Sequence, residues 1–234
     1  MTFGSTFGRV FSPTFQPSSQ AAVAGGGWWD LDGTLTSCVA AYQAKGAASQ
    51  AASYVNLANA GTYDLKAGGS PTWDSGGWKF GAGNYLNTGI IPSDITWSYI
   101  AKFSNKATPS TEGGALLGAS TGGTEYMAIK IGYVDKRGLH GDASKFANVS
   151  TPTYCPAYGI MCLADRKIYL NANSATIADG GGVASTPVWI GAKSGGYGGA
   201  EYLNANIYIE CAAIYNTALT STQIADLNTA INLL

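Results

Sequence analysis

Two carboxylates separated by one residue are the first groups in this chain that could do chemistry: Asp30 and Asp32, in Trp28-Trp-Asp-Leu-Asp-Gly-Thr-Leu-Thr36. Such a pair supplies a nucleophile and a general acid/base when both side chains emerge at the end of a buried strand. Here Gly25, Gly26 and Gly27 precede only Trp28 and Trp29, an apolar run too short for that strand. The segment therefore reads as a turn, with both aspartates accepting backbone hydrogen bonds and Gly33 at positive φ. Cleavage of a glycosidic bond needs two carboxylates facing one cleft. No E-x-D-x-E alternation occurs, and Glu125, Glu201 and Glu210 stand singly, each read as part of a solvated face. His140, the sole histidine, lies in Arg137-Gly-Leu-His-Gly-Asp142 without a G-x-S-x-G nucleophile elsewhere, so it reads as a turn histidine.

Cys38, Cys155, Cys162 and Cys211 form no C-x-x-C and have no histidine near them in sequence, which excludes a zinc site. Buried free thiols are expected, with a Cys155–Cys162 bridge across a hairpin as the alternative. The stretch Lys193-Ser-Gly-Gly-Tyr-Gly-Gly-Ala-Glu-Tyr202 is glycine-rich but lacks a G-K-[ST] ending and opens no helix, so it does not cradle phosphate. Tyr197 and Tyr202 are the ligand-binding candidates, offering flat apolar faces to a sugar ring or a neighbouring subunit. The alternative for that loop is a plain hairpin connection. No catalytic residue and no metal ligand is expected.

The elements that would position these groups are short. A chain of 234 residues with 46% apolar and only 12% charged residues can bury one large core, and 32 glycines make it turn-rich. Thirteen Lys and Arg against 14 Asp and Glu leave no excess cation for phosphates, which excludes nucleic acid as a partner. No window approaches 18 apolar residues, so no membrane insertion is expected. Met1 to Ser19 holds one Arg and no continuous apolar run, which points to synthesis in the cytoplasm without a signal peptide.

Residues 1–26 read as an extended arm in which Phe3, Phe7, Phe11 and Phe15 recur every fourth residue among Gly and Pro. The arm either packs on its own domain or docks on a neighbouring subunit. Residues 27–234 read as a single domain. Within it Thr36 to Leu57 is a small-residue helix or irregular segment broken at Gly46. Strands follow from Trp73 onward: Trp97–Phe103, Tyr126–Ile131, Gly159–Leu163, Lys167–Leu170, Val188–Ile190 and Ile207–Tyr215, separated by Gly, Asn, Ser and Pro. In the last of these Ile207, Ile209, Cys211 and Ala213 should share one face, with Tyr208, Glu210 and Ala212 on the other. A C-terminal helix closes the chain. Thr220 and Gln223 make a capping box, and Ile224, Leu227, Ile231 and Leu234 share one side.

Several segments in order resemble the laminin G-like, concanavalin A-like jelly rolls. Trp78-Lys-Phe-Gly-Ala-Gly-Asn-Tyr-Leu-Asn-Thr-Gly-Ile90 is similar to that family's early strand pair. Ile168-Tyr-Leu-Asn171 and Val188-Trp-Ile-Gly-Ala192 are similar to later strands, and Ala213-Ile-Tyr-Asn-Thr-Ala-Leu-Thr220 to its closing strand and helix. The resemblance covers about Trp73 to Leu234. Ala172 departs from it, standing where a Gly is usual after Asn171, as does the Ala205-Asn206 entry to the last strand. It implies an all-β jelly-roll sandwich of two antiparallel sheets with a short C-terminal helix. It implies no cofactor, though many relatives bind calcium, and it leaves function open because this architecture hosts many activities.

Combined with the Phe-rich arm, the resemblance is also to bacteriophage particle proteins. The expected function is then a non-catalytic structural or binding subunit of a virus particle (capsid decoration, tail or fibre). Its partners would be copies of itself, other virion proteins and cell-surface glycan, and it would reach the extracellular space in the virion after lysis. The alternative is an enzyme: a glycan hydrolase of concanavalin A-like fold, or a phosphatase. For the latter, Asp30-Leu-Asp-Gly-Thr resembles the first motif of haloacid dehalogenase-like phosphatases. That family's late acidic pair is missing, since no two carboxylates adjoin.

Overall fold

A computed structural model describes residues 26–31, 36–105, 113–122, 124–132, 136–140, 142–149, 155–178, 181–195, 200–203 and 206–234. The arm with Phe3, Phe7, Phe11 and Phe15, and likewise Asp32, Gly33 and Tyr197, lie outside them. In chain order the strands are β1 (Cys38–Gln43), β2 (Lys66–Gly68), β3 (Thr72–Asp74), β4 (Gly77–Lys79), β5 (Tyr85–Asn87), β6 (Ser98–Ser104), β7 (Gly114–Gly122), β8 (Glu125–Ile131) and β9 (Lys136–His140). They continue as β10 (Asp142–Asn148), β11 (Gly159–Ala164), β12 (Lys167–Leu170), β13 (Asn173–Thr176), β14 (Trp189–Ile190), β15 (Ala192–Lys193), β16 (Glu201–Tyr202) and β17 (Tyr208–Tyr215). The helices are α1 (Gln50–Ser53) and α2 (Ser221–Asn232).

The strands form two sheets, as the sequence predicts for a jelly-roll sandwich. The first runs β13-β12-β11-β6-β17-β4-β3, with β1 beside β4 along the same edge of β17. The second runs β10-β9-β8-β7-β14-β5-β2. The short β15 pairs with β7, parallel to it, and with β16. Alternation explains the core between the sheets: Tyr99, Ala101 and Phe103 of β6 and Met161 and Leu163 of β11 point inward to meet Leu117, Ala119, Met127 and Ile129 of the second sheet. Trp78 is fully buried there, its indole N–H donating to Ser53 Oγ at 2.8 Å. Tight turns connect the strands. Asp165 and Arg166 both take positive φ between β11 and β12, the left-handed pair that a two-residue hairpin turn needs. Between β12 and β13 only Asn171 is left-handed, at φ 52°. Asn tolerates that conformation, so the residue after it need not be Gly and Ala172 fits.

The first sheet is also buried on its outer face, by Trp28 and by Ile224, Leu227 and Ile231 of α2. That face mixes small side chains, Ala41, Cys162, Ala164, Cys211 and Ala213, with the larger Ile100, Ile160 and Tyr215. Helix α2 starts as the sequence predicts. Thr220 Oγ1 accepts from Gln223 N at 3.2 Å, and Gln223 Oε1 accepts from Thr220 N at 2.9 Å.

Three expectations need correction. The Thr36–Leu57 segment is not helical or irregular throughout: its first part is β1, paired with β17, and one helical turn, α1, follows. Pairing with a central strand overrides the helical preference of alanine. Second, the faces of β17 do not alternate as expected. A bulge between Ile209 and Cys211 shifts the register, so Ile209, Ala212 and Ile214 face the other sheet while Cys211, Ala213 and Tyr215 face α2. Third, Glu210, at the bulge, is not solvated. It is 5% exposed and its carboxylate lies 3.1 Å from Lys45 Nζ and 3.2 Å from Lys102 Nζ.

Candidate functional site

The outer face of the first sheet is wider than the helix that covers it. Helix α2 packs over β17, β6 and β11, and beyond it Tyr169 of β12 packs only in part against the same cluster. A groove of about 650 Å³ results, within the range of about 300–1,000 Å³ usual for small-molecule sites. Its helix wall is Ser221, Ala225, Asn228, Thr229 and Asn232. Its strand wall is Tyr169, Asn171 and Ser174, with Tyr158 at the start of β11 and Lys102 on the floor. Register places Tyr169 opposite Ser174.

Hydrogen bonds fix both walls. Asn171 N donates to Ile160 O and Asn171 Oδ1 accepts from Ile160 N, each at 2.9 Å, so the left-handed turn is locked onto β11. Asn228 Nδ2 donates to Asn171 O at 3.1 Å and ties the helix to that turn. This bond orients the carboxamide and leaves Asn228 Oδ1 buried without a hydrogen-bond partner. Lys102 Nζ donates to Ile231 O at 3.1 Å, satisfying a carbonyl in the last turn of α2, and pairs with Glu210.

The groove's chemistry is amide, hydroxyl and phenol, with one cation whose charge a buried carboxylate offsets. Burial raises the Glu210 carboxyl, but hydrogen bonds from Ser104, Lys45 and Lys102 together with the Lys102 charge outweigh it and hold it below its ordinary value. Tyr158 stands 71% exposed at the mouth, an aromatic plane open to solvent. The Tyr169 phenol is pushed up by burial. Flat aromatic surface beside amides that both donate and accept is suited to polyhydroxylated rings, whose C–H faces stack and whose hydroxyls need both kinds of partner.

Of the residues singled out from sequence, Tyr202 is described. It sits on β16 opposite Ala192, half-buried, and does not line the groove. The described ends of the Lys193–Tyr202 stretch pair as β15 and β16, and Lys193 itself is buried with its ammonium 4.8 Å above the Tyr126 ring. Glu201 pairs with Lys130 at 2.7 Å. Asp30 lies on a turn closed by Asp30 N donating to Gly27 O at 2.9 Å, not at the end of a strand. The cysteines are free thiols; burial pushes Cys38 and Cys211 up to about 12. Among the described residues no three His, Cys, Asp or Glu side chains gather around a metal position, and no helix is long and apolar enough to cross a membrane. Sequence reasoning missed Tyr158, Asn171 and Asn228. The signal that could have found Asn171 was Asn in a two-residue hairpin turn. Asn228 sits on the helix flank next to the apolar stripe.

No family model matches the chain, and a search of curated proteins finds no match. Solved structures do match. The receptor-binding domain of botulinum neurotoxin D aligns with a TM-score of 0.57 at 13% identity, over 84% of this chain and 53% of that one. A botulinum neurotoxin type C structure, described as entering cells through interaction with two ganglioside molecules, aligns with a TM-score of 0.55 at 11% identity, over 83% and 51%. The Trypanosoma rangeli sialidase in complex with sialic acid aligns with a TM-score of 0.52 at 14% identity, over 84% and 33%. The chain thus spans about a third to a half of each, and at these identities the likeness speaks for the fold.

Proposed function

We propose that this chain is a non-catalytic saccharide-binding module that takes its ligand in the groove between α2 and the β12–β13 hairpin. The observation carrying this reading is the groove's lining: Tyr158 and Tyr169 as stacking faces, with Asn171, Ser174, Asn228 and Asn232 as paired donors and acceptors. The fold's occurrence in a ganglioside-binding toxin and in a sialidase is consistent with it. A glycan array probed with the full chain tests it. Binding to a defined set of glycans is expected, weakened about tenfold by Tyr158→Ala, the loss of one stacked ring at about 1.4 kcal/mol. Absence of any glycan binding, or undiminished binding by the variant, would overturn it. The enzyme alternative is tested in parallel, with an aryl phosphate plus Mg²⁺ and with β-glucan and alginate-type polymers. Turnover abolished by Asp30→Asn would replace binding with catalysis.

The setting we propose is the surface of a virus particle, with residues 1–26 attaching the module to copies of itself or to another virion protein. The support is the fourfold recurrence Phe3, Phe7, Phe11, Phe15. Each such ring buried on a partner contributes about 1.5–3 kcal/mol. Light scattering of the full chain against a 1–26 deletion reads the self-association. Equal monomeric masses, together with no attachment to particles, would remove this part of the proposal.

A further inference from the structure

A second cavity, of about 290 Å³, opens where the loop before β2 meets the end of β5, lined by Gly61, Tyr63, Asp64, Lys66, Asn87 and Gly89 among others. Its most unusual member is Tyr63, which holds φ at 62°. A bulky side chain in the left-handed region is strained, and such strain persists only where the surroundings impose it. Here they do. The buried Tyr42 hydroxyl donates to Tyr63 O at 2.6 Å. Asp64 Oδ1 accepts from Asn56 N at 2.8 Å and Gly61 N at 3.2 Å. Asn56, itself fully buried, donates through Nδ2 to Val39 O and Thr62 O and accepts through Oδ1 from Ala41 N and Ala58 N, pinning the loop to β1.

The frame uses only part of the groups it displays. The Tyr63 ring is 44% exposed and lies over Gly89, whose added Cβ would stand 3.9 Å from Tyr63 Cδ1. Asp64 keeps its second carboxylate oxygen for an outside donor, since both bonds to the loop use Oδ1. Asn87 Oδ1 accepts from Gly89 N at 2.9 Å, which turns its NH₂ outward as a donor. Lys66 is the cross-strand partner of Asn87 and brings one positive charge to a lining whose one negative charge is Asp64. The result is a rigid notch with one flat aromatic wall, one carboxylate acceptor and one amide donor, electrically neutral as a whole.

We infer that this notch is a saccharide subsite separate from the groove under α2, taking a single neutral hexose residue. The ring stacks on Tyr63 while neighbouring hydroxyls donate to Asp64 Oδ2 and accept from Asn87 Nδ2. The inference rests on its own residues and stands whether or not the groove binds sugar. Preorganisation is what the strain provides, because the loop does not have to be ordered when ligand arrives.

The test is a titration of the isotope-labelled full chain with glucose, galactose, mannose and N-acetylglucosamine, reading backbone and Asn side-chain amide shifts. Saturable shifts at Gly61, Gly89 and the Asn87 amide are expected for at least one hexose. They should vanish in Tyr63→Gly and in Asp64→Asn, which keeps an Oδ1 acceptor for the loop, and persist in Tyr158→Ala. Because glycine accepts the backbone angle freely, Tyr63→Gly should melt no lower than the parent. No shift with any of the four sugars, or shifts that survive both substitutions, would overturn the inference. So would a Tyr63→Gly chain that melts well below the parent, since the ring would then be part of the packing.

Discussion

The two faces of the first sheet are both buried, yet they are built differently. The inner face meets another sheet with large side chains, Trp78, Tyr99, Phe103 and Leu163 among them. The outer face meets a single helix with a mixture of small residues, Ala41, Cys162, Ala164, Cys211 and Ala213, and the larger Ile100, Ile160 and Tyr215. A sheet covered by a sheet is covered to its margins, whereas a helix about 10 Å wide covers only a few strands. The uncovered margin at β12 and β13 becomes the groove. The inner face therefore carries stability, while the outer face carries stability and the candidate site together.

Substitutions can break that contrast. The largest effect is expected from Trp78→Ala, which empties a fully buried indole site and removes the donor to Ser53 Oγ, at a cost of about 3–5 kcal/mol. Chemical denaturation should show it, and glycan affinity of the fraction still folded should be unchanged. Leu227→Ala should cost about 2–4 kcal/mol from the outer face. Unlike Trp78→Ala, it should also weaken saccharide binding, because Asn228 beside it forms the groove wall. If both variants affected binding equally, the two faces would not be separable in function.

A third prediction concerns pH. The folded Glu210 carboxyl titrates below its ordinary value of 4.5, so its contribution is fully present above that value and is lost as pH falls through the lower folded one. Denaturation midpoints should therefore drop on acidification below 4.5, and Glu210→Gln should flatten that drop while lowering stability at neutral pH. An unchanged acid slope in Glu210→Gln would place the titrating groups elsewhere. The smallest effect is expected from Thr220→Ala, which removes the N-cap of α2 at about 1 kcal/mol. Its loss should appear first as faster amide exchange in the first turn of the helix.

Much of this architecture was legible in the sequence because local signals and tertiary environment agree. Strands β6, β8, β11, β12, β14 and β17 follow their β-branched and aromatic runs, whereas β7, β10 and β13, rich in Gly, Ala, Ser and Asn, carry no such signal, and Thr220 with Gln223 announced α2. What escaped was decided by contacts distant in sequence. Nothing in Cys38-Val-Ala-Ala-Tyr-Gln43 outweighs the helical preference of its alanines until β17 lies beside it. The bulge at Glu210 is fixed by Ala44 N and Lys45 N donating to Glu210 O at 2.8 Å and 3.0 Å, across more than half the chain. The groove assembles from strand and helix residues far apart in sequence, and its one charged member, Lys102, sits in no motif that marks the site beforehand.

The most direct test of the central claim is to map the glycan selected on an array onto the isotope-labelled chain by amide chemical shifts. Saturable perturbations centred on Asn171, Ser174, Asn228 and Asn232 are expected. Perturbations confined to the outer face of the second sheet, around Tyr126 and Tyr202, with the α2 groove silent, would contradict it.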